Sequence, residues 1–238
     1  AIWPFTVVGR PPQEDTSFGK LIHAMTGKAI QQEIPGLKEV HAVDAAGVHP
    51  LLLAIGSERY TPYSQARQPA EILTIANHVL GTGQLSLAKF LFITADDDNK
   101  ITTHNIENYL RFVLERINLK RDIHFYTNTT IDTLDYSGTG LNSGSKVVLA
   151  AYGQKQRELA IEVPDVLKNI QGFENAQLVM PGVVALQTKK FVDYATANNE
   201  LQTLSSQLTA YSSQLTNLPF IIVCDDSNFL SEQLNNFL

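Results

Sequence analysis

The strongest constraint on the fold is a strand, an acidic turn and a helix that follow one another in the middle of the chain. Residues 90–95 (FLFITA) form a continuous apolar run, which is typical of a strand buried on both faces. Polar residues separate it from residues 106–117, where apolar side chains recur every three or four positions. This order predicts an α/β fold in which helices flank a mixed sheet in an α/β/α layering.

Other segments repeat this alternation of strands and helices. Short apolar runs bounded by glycine or proline predict strands at residues 40–43, 48–55, 123–127 and 146–152. Helical periodicity predicts a helix that begins near Thr16 and ends before Pro35, and another from Pro69 to Gly81. Together these elements predict one α/β domain over residues 1–153.

The remainder of the chain is predicted to comprise a linker region and a smaller extension. Residues 154–182 have no long apolar stripe and contain Pro164 and Pro181, which favours a linker. Residues 183–238 predict a strand-helix-strand-helix extension. Its second strand and the two aspartates after it, residues 220–226, echo residues 91–97. The extension is therefore a candidate degenerate repeat.

Both ends of the sequence favour a piece of a longer protein. An apolar run at residues 2–8 begins without methionine, and the final amphipathic segment stops without the glycine, asparagine or proline that usually closes a helix. We therefore expect part of the function to depend on sequence upstream of Ala1 and downstream of Leu238, with the extension truncated.

A long helix in the extension carries apolar residues at alternating spacings of three and four. The stripe consists of Leu201, Leu204, Leu208, Tyr211, Leu215 and Leu218. Its two interpretations are a helix face packed on its own sheet and a seam between helices or subunits. The first is the more common use of such a stripe.

Composition excludes several classes of protein. The net charge is −6 and the 18 lysines and arginines are scattered, so a nucleic acid is not an expected partner. Cys224 is the single cysteine, which excludes an internal disulfide and a cysteine-based zinc site. No long uncharged apolar span predicts an integral membrane segment, and we expect a cytoplasmic protein.

Two features near the predicted central strand suggest ligands. Asp96, Asp97 and Asp98 follow the strand and could hold Mg²⁺ or Mn²⁺, but a solvated acidic turn at a helix start is favoured. The helix start also offers unpaired N–H groups and a positive dipole to a phosphate, and His104 could add a donor. Considered alone, a histidine there is more often only a tolerated polar residue.

A glycine-rich loop at residues 138–146 fails the test for a phosphate cradle. Gly140 and Gly144 enclose three residues instead of four, and Ser145 separates the second glycine from Lys146. A turn between two strands is the favoured interpretation. The six histidines show no metal-binding spacing, so scattered structural or surface roles are expected for them.

Several blocks, in order, resemble the C-terminal half of UbiD-type decarboxylases, which include the 3-octaprenyl-4-hydroxybenzoate carboxy-lyases. The blocks are residues 4–19 (PFTVVGRPPQEDTSFG), 89–98, 130–136 and 144–146. The resemblance covers residues 2 to about 152 and fades beyond about 180.

The resemblance implies a reversible, non-oxidative decarboxylation of aromatic or α,β-unsaturated acids. The family uses prenylated flavin mononucleotide with Mn²⁺ or Mg²⁺ and potassium, and a Glu-Arg-Glu (or Asp) network transfers protons. That network and the metal ligands precede the segment that this chain matches, and this sequence has no Glu-Gly-Pro-Phe-Gly-Glu stretch. No catalytic residue or metal ligand is therefore assigned to this chain. We expect the isolated fragment to be inactive and to hold no cofactor tightly.

The resemblance implies candidate roles for three residues of this chain. Val8 matches a strand that passes beside the flavin and is a candidate cofactor contact. His104 lies where many relatives have a lysine that reaches the cofactor phosphate, so it is a candidate cofactor contact despite the different charge. Leu110 is a candidate residue of the substrate pocket.

These observations leave three interpretations of the function. The first is the C-terminal domain of a prenylated-flavin decarboxylase that supplies part of the cofactor pocket wall and the subunit interface of a homo-oligomer, with the missing N-terminal part of the same chain as its partner. The second is a non-catalytic oligomerisation module. The third, a free-standing nucleotide or phosphate binder, has no complete motif.

Overall fold

The computed structural model describes residues 29–43, 50–60, 66–96, 100–133, 135, 137–138 and 140–238. Two compact units divide the chain, with the boundary between Gln156 and Arg157. Each unit contains one sheet of its own. In the described part of the chain, no helix has the length and the apolar character needed to cross a bilayer.

The first unit contains a five-stranded mixed sheet. Its strands are β1 (Glu39–Val43), β2 (Leu51–Gly56), β3 (Phe90–Ala95), β4 (Ile123–Thr130) and β5 (Ser143–Ala151). They lie in the order β1-β2-β3-β5-β4, with β2, β3 and β5 parallel and the two outer strands antiparallel to their neighbours. The predicted mixed α/β fold is confirmed.

The described helices that cover this sheet include α1 (Glu71–Leu80) and α2 (Ile106–Arg116), with a short 3-10 helix (Gly83–Leu87) after α1. Residues 29–33 are also helical, and Ile30 packs against the same core. Side chains alternate between the two faces of each strand. One face, which includes Leu52 and Ala54, packs with the buried side of α1. The buried residues of α2 lie outside that cluster, and α2 contacts β3 and β5. The sheet therefore lies between layers of helix, as the periodicity predicted.

Tyr109 connects α2 to the sheet through hydrogen bonds. Its side chain is fully buried, and its hydroxyl lies 2.7 Å from the carbonyl oxygen of Ala54 in β2 and 2.8 Å from that of Phe92 in β3. Burial raises the pKa of this hydroxyl well above its ordinary value, so the group stays a hydrogen-bond donor. One side chain thus bonds to two parallel strands.

The second unit contains a three-stranded sheet in the order β6-β7-β8. The strands are β6 (Glu174–Met180), β7 (Val183–Gln187) and β8 (Phe220–Cys224). The helices are α3 (Tyr194–Ala210), α4 (Ser227–Glu232) and α5 (Leu234–Phe237), and a 3-10 helix (Asp165–Asn169) precedes β6. The β6–β7 pair is antiparallel and the β7–β8 pair is parallel.

Residues 154–182, predicted as a linker region, contain the 3-10 helix and β6. The chain from Arg157 to Phe237 belongs to the second unit. The strand lacked a sequence signal because it lies at the edge of a small sheet and most of its residues, such as Glu174 and Gln177, are exposed or half-buried. A half-solvated edge strand needs no continuous apolar run.

The leucine stripe of the extension does not lie on one continuous helix. Helix α3 ends at Ala210, and Tyr211 is exposed. Leu204 and Leu218 are nevertheless buried in the core of the second unit, with Leu208 and Leu215 packed against it. These contacts favour the interpretation of the stripe as a core face.

Candidate functional site

The first candidate site lies at the carboxyl ends of β2 and β3, where open α/β sheets usually bind ligands. Strand β1 runs antiparallel to β2, so its first residue, Glu39, lies opposite Ile55 near the end of β2. The loop that leads from β3 to α2 meets Glu39 at this edge. We call Glu39, His41, Thr102, Thr103 and His104 the carboxyl-edge cluster.

The Glu39 carboxylate holds the start of α2 in place. Its Oε1 atom accepts hydrogen bonds from the hydroxyls of Thr102 and Thr103, both at 2.7 Å, and from the Thr103 backbone N–H at 3.2 Å. Asn105 caps the helix itself, since its side-chain oxygen accepts a hydrogen bond from the backbone N–H of Asn108 at 3.3 Å. These donors around the start of α2 are therefore used within the chain.

His104 lies at the surface beside this carboxylate. Its side chain is 64% exposed, and its Nε2 lies 3.8 Å from Glu39 Oε1. The imidazole of His41 lies 4.5 Å away, centroid to centroid, and His41 Nδ1 is 3.0 Å from the carbonyl oxygen of Thr103. The cluster thus joins two imidazoles and one carboxylate.

Glu39 makes a phosphate beside Thr102 and Thr103 unfavourable. Its carboxylate already accepts the hydrogen bonds that these two residues donate, and its negative charge would repel a phosphate bound there. The cofactor contact expected of His104 remains a prediction, without support from these contacts. Glu39 itself could not be identified from sequence, because it contacts residues more than 60 positions further along the chain.

The acidic turn after β3 has a structural role at its first residue. Asp96 is buried; its Oδ2 accepts a hydrogen bond from Ile101 N at 2.8 Å, and its carbonyl oxygen accepts one from Lys38 Nζ at 2.7 Å. Asp97 and Asp98 lie outside the described residues. Within the described ranges, no three His, Cys, Asp or Glu side chains are grouped to hold a metal ion.

The other predicted contacts have different positions. Val8 lies outside the described residues. Leu110 is 3% exposed and belongs to the buried side of α2, so within this chain its side chain presents little surface to a substrate. Its assignment to the substrate pocket remains a prediction.

The glycine-rich loop is a turn between β4 and β5, as favoured from its sequence. A Cβ atom on Gly138 would lie 2.2 Å from the Ser143 carbonyl oxygen and 2.7 Å from Ile131 Cδ1, so this close approach requires glycine. Lys146 belongs to β5, and its buried Nζ donates a hydrogen bond to the Ser86 carbonyl oxygen. The lysine is therefore directed into the protein and not toward a phosphate.

A buried ion pair lies at the opposite, amino-terminal edge of β3. Lys89 Nζ is 2.6 Å from Asp135 Oδ2 and 2.6 Å from Ser137 Oγ, and the lysine side chain is 2% exposed. Partial burial would raise the pKa of Asp135, but the hydrogen bonds from Lys89 and Ser137 outweigh it and lower that pKa. Burial and the neighbouring Lys89 charge lower the pKa of Lys146. No sequence motif marked this pair.

Another buried carboxylate, that of Glu58, caps the start of α1. Glu58 is 1% exposed, and its carboxylate accepts hydrogen bonds from the backbone N–H groups of Ala70, Glu71 and Ile72 at 3.0, 2.7 and 3.3 Å. A carboxylate is well placed at the positive end of a helix. The cap comes from the segment after β2, so it has no local sequence pattern.

The second candidate site is a cavity of about 170 Å³ on the α1 face of the first unit. Among the described residues, six line it: Leu73, Ala76, Asn77, His124, Tyr126 and Val148. The hydroxyl of Tyr126 donates a hydrogen bond to Asn77 Oδ1. His124 Nε2 is buried and has no hydrogen-bond partner among the described residues. No sequence pattern marked this site.

Two relatives from Chlamydia have amino-acid sequences similar to this chain. One matches the whole chain and the other matches two thirds of it. An uncharacterised protein of Chlamydia trachomatis is 32% identical over all 238 residues, which correspond to 37% of its length. A 4-hydroxybenzoate decarboxylase component from Chlamydia pneumoniae is 36% identical over 159 residues, or 67% of this chain and 25% of that protein. The chain therefore spans well under half the length of these relatives.

Two solved structures of decarboxylases are weakly similar to part of the chain. The apo 3,4-dihydroxybenzoic acid decarboxylase of Klebsiella pneumoniae is 21% identical, covering 63% of this chain and 32% of that one, with a TM-score of 0.46. The UbiD-class enzyme HmfF of Pelotomaculum thermopropionicum, in complex with FMN, is 14% identical over 58% of this chain and 28% of its own, with a TM-score of 0.41.

The family model decides the classification. Residues 16–151, more than half of the chain, match the C-terminal domain of 3-octaprenyl-4-hydroxybenzoate carboxy-lyase. This chain belongs to that family of decarboxylase C-terminal domains.

Proposed function

We propose that this chain is the C-terminal domain of a carboxy-lyase that decarboxylates aromatic or α,β-unsaturated acids with prenylated FMN. In this proposal the chain supplies one wall of the cofactor pocket and part of the interface between subunits. The catalytic acid, base and metal ligands belong to the part of the protein that precedes residue 1. The observation that carries the proposal is the family match over residues 16–151.

The described residues are consistent with a supporting role. The carboxyl-edge cluster contains one carboxylate already engaged with Thr102 and Thr103, and the carboxylates of Glu58 and Asp96 hold a helix start and a loop. A wall that positions a cofactor needs such a rigid frame more than it needs reactive groups. Within the proposal, Val8 and His104 contact the cofactor and Leu110 belongs to the substrate pocket in the assembled protein.

The experiment uses the full-length protein, expressed with and without a flavin prenyltransferase. We expect the co-expressed protein to retain a coloured flavin and to release carbon dioxide from 4-hydroxybenzoate or another aryl or acrylic acid. The protein produced without the prenyltransferase is the control and should be inactive, because the reaction depends on the modified cofactor. A colourless co-expressed protein that releases no carbon dioxide from any of these acids would contradict the proposal.

A further inference from the structure

The cavity on the α1 face lies between α1 and the β4–β5 side of the sheet. Five strands at a spacing of about 4.8 Å span roughly 19 Å, whereas a helix with its side chains is about 10–12 Å wide, so α1 does not span the whole face. Ile30 and Ile34 also pack into the core on this face. Helix α1 packs on the central strands, and the gap opens where β4 and β5 extend past it. This face is separate from the carboxyl-edge cluster, whose His41 and Glu39 alternate with the core residue Val40 in β1.

The walls of the cavity favour a neutral ligand. Leu73, Ala76 and Val148 provide an apolar surface. The remaining three lining residues are polar, and none of them carries a carboxylate, an amine or a guanidinium group. A charged ligand would lose its hydration here without an opposite charge among these residues to replace it. The volume of about 170 Å³ corresponds to one ring, since an apolar cavity of about 150 Å³ in another protein binds benzene.

His124 supplies the polar feature of the site. A buried nitrogen without a hydrogen bond is unfavourable, and the imidazole can turn about its Cβ–Cγ bond. A half-turn of the ring exchanges the positions of Nε2 and Cε1. A hydrogen-bonding group in the cavity would favour such a turn. A hydroxyl suits either tautomer of the histidine, because it can both donate and accept.

We propose that the cavity between α1 and the β4–β5 edge binds a small neutral phenol, with the ring against Leu73, Ala76 and Val148 and the hydroxyl hydrogen bonded to His124 Nε2. The inference depends on the cavity and the histidine alone, so it does not rest on the proposed decarboxylase function.

The test is fluorine NMR of the full-length protein with 4-fluorophenol, and with fluorobenzene as the ring that lacks the hydroxyl. We expect the wild-type protein to bind 4-fluorophenol at least about tenfold more tightly than fluorobenzene, because one hydrogen bond to a buried group changes an affinity by about that factor. His124→Leu should reduce the affinity for 4-fluorophenol about tenfold and leave fluorobenzene unchanged. His124→Gln keeps a polar atom at this position and should restore most of the affinity.

A matched control separates this cavity from other binding sites on the protein. His78 lies on the exposed side of α1 outside the cavity, so His78→Gln should leave both affinities unchanged. The full-length protein could also bind 4-fluorophenol at another site, but His124→Leu would not reduce that binding. If His124→Leu and His78→Gln lose the same affinity for 4-fluorophenol, the assignment of the site to this cavity is overturned.

Two results on the wild-type protein alone also overturn the proposal. If neither probe binds, the cavity holds only water or is filled by another part of the full-length protein. If both probes bind equally, the hydroxyl has no partner at His124. These outcomes stand even if circular dichroism shows that His124→Leu does not fold.

Discussion

The two units of the chain have a similar order of elements but bury different kinds of side chain. Both pair two antiparallel strands, continue through a helix to a parallel strand, and then enter another helix. Among its described residues, the first unit buries five acidic or basic side chains: Glu58, Lys89, Asp96, Asp122 and Lys146. In residues 157–237, all of which the structure describes, Ser227 is the single buried polar residue.

This difference shows that a similar framework can contain different amounts of buried polar contact. Both units have an apolar core, around Leu52 and Ile72 in the first and around Leu204 and Val184 in the second. The first unit adds buried hydrogen bonds and ion pairs that hold loops and helix starts to its sheet. The shared order also fits the hypothesis that the extension is a degenerate repeat, which stays a prediction.

The largest expected effect is the loss of the buried ion pair in the first unit. Lys89→Met leaves Asp135 partly buried without its charged partner, and such changes destabilise proteins by about 3–5 kcal/mol. The measurement is hydrogen exchange followed by mass spectrometry at increasing urea, read on peptides from the first unit. Lys168→Met is the matched control, because Lys168 and Asp165 form an ion pair at the surface of the second unit.

That control should show no measurable change in either unit. If Lys89→Met behaves like Lys168→Met, the buried ion pair adds no stability to the first unit, and the contrast between the units disappears.

A smaller effect is expected from the apolar core of the second unit. Leu204 is 5% exposed and packs against the strands, so Leu204→Ala should destabilise the second unit by about 2–3 kcal/mol through the cavity it leaves. The same exchange measurement, read on peptides after residue 157, detects it. Val192→Ala is the control, because Val192 is 76% exposed and should cost little. Equal effects of the two substitutions would show that this core is not well packed.

The smallest effect is expected from pH. Hydrogen bonds from Lys89 and Ser137 outweigh burial and lower the pKa of Asp135, and those from Arg59 and Ser57 do the same for Glu71. A carboxyl group with a lowered pKa in the folded state contributes stability above its unfolded pKa and loses it as the pH falls through the folded value. The first unit should therefore lose protection as the pH falls below the ordinary pKa values of these carboxyl groups, about 4.

In the second unit, Asp165 and Asp193 also have lowered pKa values, through bonds from Lys168 and Thr196. Both are fully exposed, where solvent screens their interactions, so acid should weaken this unit less. Exchange pulses at one fixed labelling pH, applied after incubation at each acidic pH, compare the units. Greater acid sensitivity of the second unit would reverse the comparison.

The sequence predicted those parts of the fold in which each residue's environment follows from its neighbours along the chain. Strand β3 is buried on both faces and α2 has one apolar side, so both were found within a few residues of their bounds. Edge strand β6 has neither pattern and was missed. Its place is set by β7 and not by its own composition.

The candidate sites were less predictable, because they depend on contacts between distant residues. The start of α2 was identified from His104 and the residues before it, but the carboxylate that occupies it comes from Glu39 in β1. His124 and Asn77 meet across the gap between a strand and a helix. Neither residue belongs to a motif, so only the folded chain shows that they line one cavity.

The close approach at Gly138 has a consequence for how this chain can diverge. Since a side chain there would collide with the backbone of Ser143, every single-nucleotide change that replaces this glycine is expected to be eliminated by selection. A Cβ atom at Gly140 would meet nothing within 4 Å, and Leu141 is 84% exposed, so these positions can accept other side chains. Evolutionary change in the turn between β4 and β5 should therefore be found at these neighbouring positions and not at Gly138.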